Sequence, residues 1–174
     1  FLGGIIDNSE GLSAILAPTV NSYKRIGVGA PTSGATWAPA YATYGMNNRT
    51  QSIRIPAPGR IEIRSTDGAA NPYLAFAGML MAMLDGIRNK THPGPPLDKD
   101  IYDMPPEELA NVPKAPGSLD EALDALERDS DFLLRGDVFT EDVIETWISY
   151  KIDKEVNPVR MRPNPLEFNL YFDV

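Results

Sequence analysis

Five charged side chains lie close together in NRTQSIRIPAPGRIEIR, the segment that runs from Asn48 to Arg64. They are Arg49, Arg54, Arg60, Arg64 and Glu62. Guanidinium groups this close in sequence repel one another unless an anion lies among them. Arginines hold phosphoryl oxygens in fork geometry, and a carboxylate binds the divalent cation that bridges such oxygens. The segment therefore indicates a polyphosphate site with Glu62 as a metal ligand.

Alternating residue types within this segment are typical of strands. Side chains alternate faces along a strand, so Arg60, Glu62 and Arg64 share one face while Ile61 and Ile63 point toward a core. An exposed ladder of ion pairs is the alternative interpretation. Four bases against one acid weigh against a ladder, because a ladder needs balanced charge.

Charge is distributed unevenly along the chain. The first 64 residues carry six Lys or Arg and three acids, whereas the remaining residues carry 10 basic and 21 acidic side chains. A nucleic-acid-binding protein favours a broad basic face, which this acidic chain lacks. Positive charge concentrated in one segment instead suits a small anionic substrate.

The first residues of the chain and its cysteine content limit the class of protein to which it can belong. FLGGII at the start is too short and too rich in glycine for a membrane span or a signal peptide. The absence of cysteine excludes disulfides and thiolate metal sites, and it fits a cytoplasmic protein.

Coarse patterns predict mixed helices and strands. We expect a helix over residues 4–17, a loop from Pro18 to Pro39, and strands over 40–45 and 50–64. A helix with Asn71 as N-cap and Pro72 at its first position should run to Lys90, and its apolar composition predicts burial, with its methionines as packing residues. Ser118 and Glu121 suggest a capping box, another helix should span Thr140 to Lys154, and prolines should keep the tail from Asn157 to Val174 extended.

Six short segments resemble, in their order, the C-terminal half of bacterial type I-like glutamine synthetases. They are NSYKR (21–25), NNR (47–49), SIRIP (52–56), RIEIR (60–64), NPYLAFAGMLMAMLDGIRNK (71–90) and LDKDIYDMPPEE (97–108). The resemblance implies an α+β fold in which antiparallel strands line an active-site cavity and helices pack behind them. It also implies that residues 1–174 are the C-terminal portion of the catalytic domain, without the first half of that domain and the N-terminal β-grasp domain.

The resemblance further implies an ATP-dependent ligase that joins glutamate and ammonia through γ-glutamyl phosphate, with Mg²⁺ or Mn²⁺. Family members form double-ring dodecamers whose C-terminal segments cross between rings, so Phe168, Tyr171 and Phe172 are candidates for a subunit contact. Docking of these aromatics on the chain's own core is the alternative.

Site residues carry over from the family by matching motifs. Arg25, Arg49 and Arg64 correspond to arginines that contact glutamate, and Arg49 and Arg64 also to catalytic ones. Arg54 and Arg60 correspond to arginines near the nucleotide phosphates, and Glu62 to a metal ligand. Lys24 is the least certain member of this set.

Two departures separate this chain from the common family pattern. Between Arg25 and Arg49 it has no acidic residue, where common members carry a flap glutamate. That stretch resembles a type III branch that includes γ-glutamylmethylamide synthetases, and Trp37, Tyr41 and Tyr44 could hold an alkylammonium by cation–π contact or simply pack under a loop. Tyr102 matches a tyrosine that some members adenylylate, but Thr91 replaces an aliphatic residue of that signature. The acidic residues and prolines around Tyr102 predict that it lies on an exposed loop near the active-site mouth.

Two non-ligase functions and a metal site at His92 are alternatives that the residues disfavour. A non-catalytic superfamily member would be expected to lose the arginines or Glu62, and this chain keeps them. A guanidino kinase would not explain NSYKR or LDKDIY. His92 has no ligand partner at metal-binding spacing, so we expect it to be structural.

We predict that residues 1–174 alone are inactive. A site with two or three metal ions needs several oxygen ligands, and Glu62 is the only candidate in this segment. Phosphate release by the isolated chain, measured with ATP and glutamate, should stay at background. Release that depends on both substrates would contradict the prediction.

Overall fold

The computed structural model describes residues 1–26 and 39–173. Helices precede and follow a small sheet in the chain, so the predicted α+β class is confirmed. The helices are Leu2–Asp7 (α1), Ser9–Leu16 (α2), Val20–Tyr23 (α3), Pro72–Arg88 (α4), Pro106–Leu109 (α5), Leu119–Arg128 (α6), Asp131–Leu134 (α7), Glu141–Lys151 (α8), Asn157–Arg160 (α9) and Pro165–Tyr171 (α10). None of the helices in these ranges is both long enough and apolar enough to cross a membrane.

Three strands form the sheet in the order β1-β2-β3. They are Tyr44–Met46 (β1), Ile53–Ala57 (β2) and Arg60–Ile63 (β3). β2 and β3 form an antiparallel hairpin whose turn uses Gly59, at a φ of 75° that glycine adopts without steric cost. β1, however, pairs with β2 in parallel, with Tyr44 opposite Ile53. The expectation of purely antiparallel strands is therefore wrong for β1, because the chain turns back after β1 and starts β2 beside the first residue of β1.

The core lies where α2, α4, α6 and α7 meet behind the sheet. Leu12, Leu123 and Leu133 are almost completely buried there, and Ile53 joins them from β2. α1 crosses α4 at very short range: a Cβ placed on Gly4 would lie 1.9 Å from the Ala82 carbonyl oxygen. Backbones at this distance leave no room for a side chain, so the close crossing requires glycine.

α4 begins as predicted, with the Asn71 side chain accepting hydrogen bonds from the first turn and Pro72 at the first position. Its methionines do pack, with Met81 buried and Met79 and Met83 partly buried against the core. The predicted burial of the whole helix is wrong, because one side carries an apolar stripe that faces solvent. The α4 stripe consists of Tyr73, Phe76, Leu80, Leu84 and Ile87, whose residues are between 38% and 85% exposed.

Two predicted boundaries and one predicted cap also differ from the structure. The helix expected over 4–17 is divided at Asn8 into α1 and α2. Part of the loop expected from Pro18 to Pro39 is α3, and residues 27–38, with Trp37, lie outside the described residues. At Ser118 the predicted capping box is half formed, because Ser118 accepts from the Glu121 N–H whereas Glu121 accepts from the Gly117 N–H.

The tail is not extended. α8 continues through a π-helical turn at Ile152–Val156 into α9, and α10 follows after a short break. Pro165 is the first residue of α10, where proline lacks no hydrogen bond that the helix needs, and Pro158 is the second residue of α9, directly after the π-helical turn. Asn164 and Glu167 form a reciprocal capping box that stabilises the start of α10. These local signals outweigh the extended conformation that the prolines suggested.

Candidate active site

The β2–β3 hairpin brings the central charges of the arginine segment together. Arg54 and Glu62 are direct partners across the two strands, so their side chains emerge on the same face. Arg54 Nη1 donates to Glu62 Oε2 at 2.7 Å, and Arg60 Nη2 donates to the other carboxylate oxygen at 3.2 Å. Glu62 thus lies between two guanidinium groups. Arg60 is on the face that the alternation along β3 predicted, whereas the second is Arg54 from β2, and Arg64 donates to the Gln51 carbonyl instead.

Glu62 is held in its ionised form. The hydrogen bond from Arg54, together with the positive charges of Arg54, Arg60 and Arg49, outweighs partial burial and lowers the pKa of Glu62. The Glu62 side chain remains 31% exposed, so its ionised carboxylate can also bind a cation from solvent. This is the protonation state that binding of a hard divalent cation needs.

Arg49 and Arg64 supply positive charge beyond what Glu62 neutralises. Within the described part of the chain neither has a carboxylate at salt-bridge distance. Arg64 instead donates to the Gln51 carbonyl at 3.3 Å. Its burial, with the nearby charges of Arg49 and Arg54, lowers the pKa of Arg64, while Tyr102 and Glu62 act in the opposite direction. Positive charges that influence one another in this way attract an anion.

Arg25 pairs with an aspartate in the loop that follows β3. Arg25 follows α3. Its Nη1 donates a hydrogen bond at 2.8 Å to Oδ2 of Asp67, which lies in the loop after Arg64. Partial burial raises the pKa of Asp67, but hydrogen bonds from the Ala69 N–H, from Ser22 and from Arg25 outweigh it, so the pKa of Asp67 is lowered. Asp67 therefore orients Arg25, a role that the sequence did not indicate because Asp67-Gly68 looks like an ordinary turn. Lys24 is exposed.

The segment from Leu97 to Ile101 is tied to the loop that carries Arg49. The Met46 N–H donates to Asp98 Oδ1 at 2.8 Å, and the Asn48 side chain donates to the Lys99 carbonyl at 2.9 Å. The Ile101 N–H donates to the Thr50 hydroxyl at 3.3 Å. These bonds connect residues about fifty positions apart in the sequence and hold the loop against the edge of β1.

Tyr102 lies in a short 3₁₀ turn, Ile101–Asp103, with its residue 41% exposed. Its expected location on an exposed segment is therefore confirmed, and its charge acts to raise the pKa of Arg64. His92 accepts a hydrogen bond from the Gly94 N–H at 3.1 Å in a turn, which supports the structural role expected for it.

Metal binding can be tested on the donors that are present. Among residues 1–26 and 39–173, no group of three or more His, Cys, Asp or Glu could hold a metal ion. Glu62, ionised and partly exposed, fits the role of one ligand within a larger set. The arrangement can thus contribute one metal ligand and an excess of guanidinium groups.

Comparison with known proteins places this arrangement in a family. Residues 1–171 match the family model for the glutamine synthetase catalytic domain. The whole chain is 51% identical to a glutamine synthetase of Frankia alni and 50% identical to one of a Nostoc species, covering 37% of the length of each. The chain belongs to the glutamine synthetase family.

Solved structures agree with this assignment. A structure titled as a GmaS/ADP complex superposes on the whole chain with a TM-score of 0.87 at 40% identity, and GmaS without ligand gives 0.80 at 38%. The chain covers 39% and 38% of those two chains. It therefore spans less than half the length of the relatives it matches.

We predict that Arg60→Gln raises the pKa of Glu62 toward its ordinary value. The wild-type pKa is lowered, so the carboxylate stays ionised to a lower pH, and removing one contributing charge lets protonation begin at higher pH. Titration of the Glu62 carboxyl carbon by ¹³C NMR measures the change. Arg128→Gln, which removes an arginine paired with Glu10 elsewhere, should leave it unchanged. An unshifted Glu62 titration in Arg60→Gln would contradict the electrostatic account of the site.

Proposed function

We propose that the complete protein is an ATP-dependent glutamate–ammonia ligase that forms glutamine through γ-glutamyl phosphate. The observation that carries this proposal is the cluster of arginines around one ionised carboxylate on the β2–β3 hairpin, in a chain of this family. In the first step two anions, the γ-carboxylate of glutamate and the terminal phosphate of ATP, must approach each other. Fixed positive charge that is not neutralised within the site offsets this repulsion and stabilises the transferring phosphoryl group.

Each arginine then has a distinct task. Arg54 and Arg60, which hold Glu62, bind the nucleotide phosphates from the hairpin face. Arg49 and Arg64 bind glutamate and the phosphoryl group that transfers to it, since they are the arginines without a carboxylate partner among the described residues. Arg25, oriented by Asp67, binds glutamate. Glu62 would contribute one ligand to Mg²⁺ or Mn²⁺, and such a cation would supply positive charge that offsets the negative charge of the phosphates.

A second candidate function is γ-glutamylmethylamide synthesis, with methylamine as the acceptor. Two observations favour it: the structural likeness to GmaS, a glutamylmethylamide synthetase, and the absence of any acid between Arg25 and Arg49. The residues that replace a flap carboxylate fall within 27–38, outside the described residues. A third candidate, a non-catalytic superfamily member, is disfavoured because the ionised Glu62 and its arginines are all retained.

We also propose that this chain is the C-terminal portion of a catalytic domain, with a β-grasp domain and the first half of the catalytic domain elsewhere in the complete protein. The α4 stripe is the face on which that first half packs. An apolar stripe of five large residues on one side of an otherwise buried helix is costly to leave in water. The matched relatives have more than half of their length outside the region that this chain covers, which is ample to cover it.

The complete protein is further proposed to form a cytoplasmic homo-oligomer, in which double-ring dodecamers are the expected assembly. Phe168, Tyr171 and Phe172 are 60% to 79% exposed on or beside α10, so they do not dock on the described core. A subunit contact would bury them. Tyr102 stays a candidate for adenylylation, since the residue is 41% exposed. Mass spectrometry of the protein purified from its source would test this.

We predict that two substitutions in the complete enzyme change different kinetic constants. Glu62→Ala removes stabilisation specific to phosphoryl transfer and should mainly lower kcat, whereas Arg25→Ala should mainly raise the glutamate KM. A charge-assisted hydrogen bond contributes roughly 1.5–3 kcal/mol, so the KM should rise about tenfold to hundredfold. Steady-state kinetics measure both.

Matched controls are available for this pair. Lys24→Ala removes the neighbouring positive charge, and Glu10→Ala removes an exposed glutamate far along the sequence from the hairpin; each should behave as wild type. A complete enzyme with no glutamate- and ATP-dependent product would refute the proposed function, and an unchanged glutamate KM in Arg25→Ala would refute the role of Arg25.

We predict that the complete enzyme accepts methylamine as well as ammonia. Without a flap carboxylate between Arg25 and Arg49 an added methyl group meets less charge, and burying it contributes up to about 0.8 kcal/mol, a few-fold preference. Product analysis with each amine at saturation decides between the two candidate functions. Ammonia turnover with none above background for methylamine would contradict this prediction, and methylamine turnover alone would favour the second candidate.

Two substitutions to arginine should distinguish a loss of subunit stability from a loss of oligomer assembly. Leu80→Arg places a charge in the α4 stripe and should destabilise the complete subunit, since covering a leucine contributes about 1.5–3 kcal/mol. Phe168→Arg should instead dissociate the oligomer while the subunit stays folded. Thermal unfolding and light scattering of the two variants distinguish the effects. A Leu80→Arg protein as stable as wild type would show that the stripe is uncovered in the complete protein.

A further inference from the structure

Asn47, next to the arginine segment, has an unusual backbone conformation. Its φ is 51°, in the left-handed region, where non-glycine residues are uncommon and asparagine is among the better tolerated. Its N–H donates to the Ile55 carbonyl at 2.9 Å, which fixes it beside β2. Its side-chain oxygen accepts a hydrogen bond from Arg54 Nη2. Asn47 therefore reaches one of the arginines that hold Glu62.

The Arg54 guanidinium donates hydrogen bonds to two residues on different sides. Its Nη1 contacts Glu62 at 2.7 Å and its Nη2 contacts Asn47, while its side chain is only 15% exposed. Arg54 Nε is buried without a hydrogen-bond partner among the described residues. A buried donor without a partner costs free energy, so this orientation is not the one that best satisfies the guanidinium by itself. The two Nη contacts determine it.

The two contacts differ in what happens when a cation binds. Glu62 carries the negative charge, and a divalent cation would compete with Arg54 for its oxygens. The carboxamide of Asn47 is neutral and has its oxygen turned to Arg54. It can therefore keep Arg54 in place when Glu62 is shared with a metal.

We propose that Asn47 is a positioning residue that holds Arg54 in the orientation in which it binds nucleotide phosphates when Glu62 ligates the metal. The inference rests on the proposed function for the identity of the ligand, magnesium-bound ATP. Asn47 itself does not contact substrate in this scheme. The left-handed backbone of Asn47 orients its carboxamide toward Arg54, and the carboxamide in turn orients the Arg54 guanidinium.

A purely structural role is the alternative, in which asparagine is present only because it tolerates a φ of 51°. Substitutions at this position separate the two. Asn47→Gly accepts a positive φ at least as well but lacks the carboxamide. Asn47→Asp keeps both the tolerance of this conformation and an oxygen acceptor for Arg54. A structural role predicts that both variants behave as wild type.

The test measures binding of the magnesium complex of a non-hydrolysable ATP analogue to the complete enzyme by isothermal titration calorimetry. Thermal unfolding is measured in parallel. We expect Asn47→Gly to weaken binding about tenfold, the size of one lost charge-assisted hydrogen bond, with little change in thermal stability. Asn47→Asp should bind within about threefold of wild type, because the acceptor is kept. Binding of the metal-free analogue should be affected less by Asn47→Gly, since Glu62 then still holds Arg54.

Two outcomes would overturn the proposal. One is wild-type affinity in Asn47→Gly, and the other is equal loss in Asn47→Gly and Asn47→Asp. The proposed function fails separately: a wild-type enzyme that binds the magnesium–nucleotide complex but ligates neither amine would refute the ligase assignment and leave the role of Asn47 standing.

Discussion

The pair between Arg54 and Glu62 across the hairpin is the interaction on which the site depends. The antiparallel register of β2 and β3 places the two residues opposite each other, and the 2.7 Å contact follows from that register. A slip of one residue would move Glu62 to the face that Ile61 and Ile63 occupy. The register therefore decides whether the carboxylate meets arginines or the core. Once it meets them, one negative charge among four positive ones leaves the excess that an anionic substrate must neutralise.

The surrounding structure keeps this hairpin in place through backbone contacts and packing. Ile53 anchors β2 in the core, and β1 extends the sheet on the side of the loop that carries Arg49. Gly45 approaches the Leu97 carbonyl so closely that a Cβ would lie 2.6 Å from it. The segment after Leu97 can therefore lie flat against β1 and bond to the loop. Tyr102 lies at the end of the same segment, in the turn Ile101–Asp103.

Residue types and the resemblance of the motifs to the family predicted which charged side chains lie close together. The excess of arginine, the strand alternation and the order of the motifs indicated the anion site, Glu62 as its carboxylate and the exposed position of Tyr102. Asp67 and Asn47 were missed, because their roles depend on partners, Arg25 and Arg54, that the folded chain brings to them. A turn aspartate and an asparagine after a strand carry no local sign of such a partner.

The sequence by itself determined the local conformations and the family: the caps of α4 and α10, the hairpin turn at Gly59 and the charge pattern act within a few residues of one another. The tertiary structure alone decided the parallel direction of β1, the exposed stripe of α4 and the separate pairing of Arg25 with Asp67. Strand direction and exposure depend on contacts between distant segments, whose cost in chain entropy only the complete core can offset. Local preference ranks the conformations open to each segment, and long-range packing selects among them.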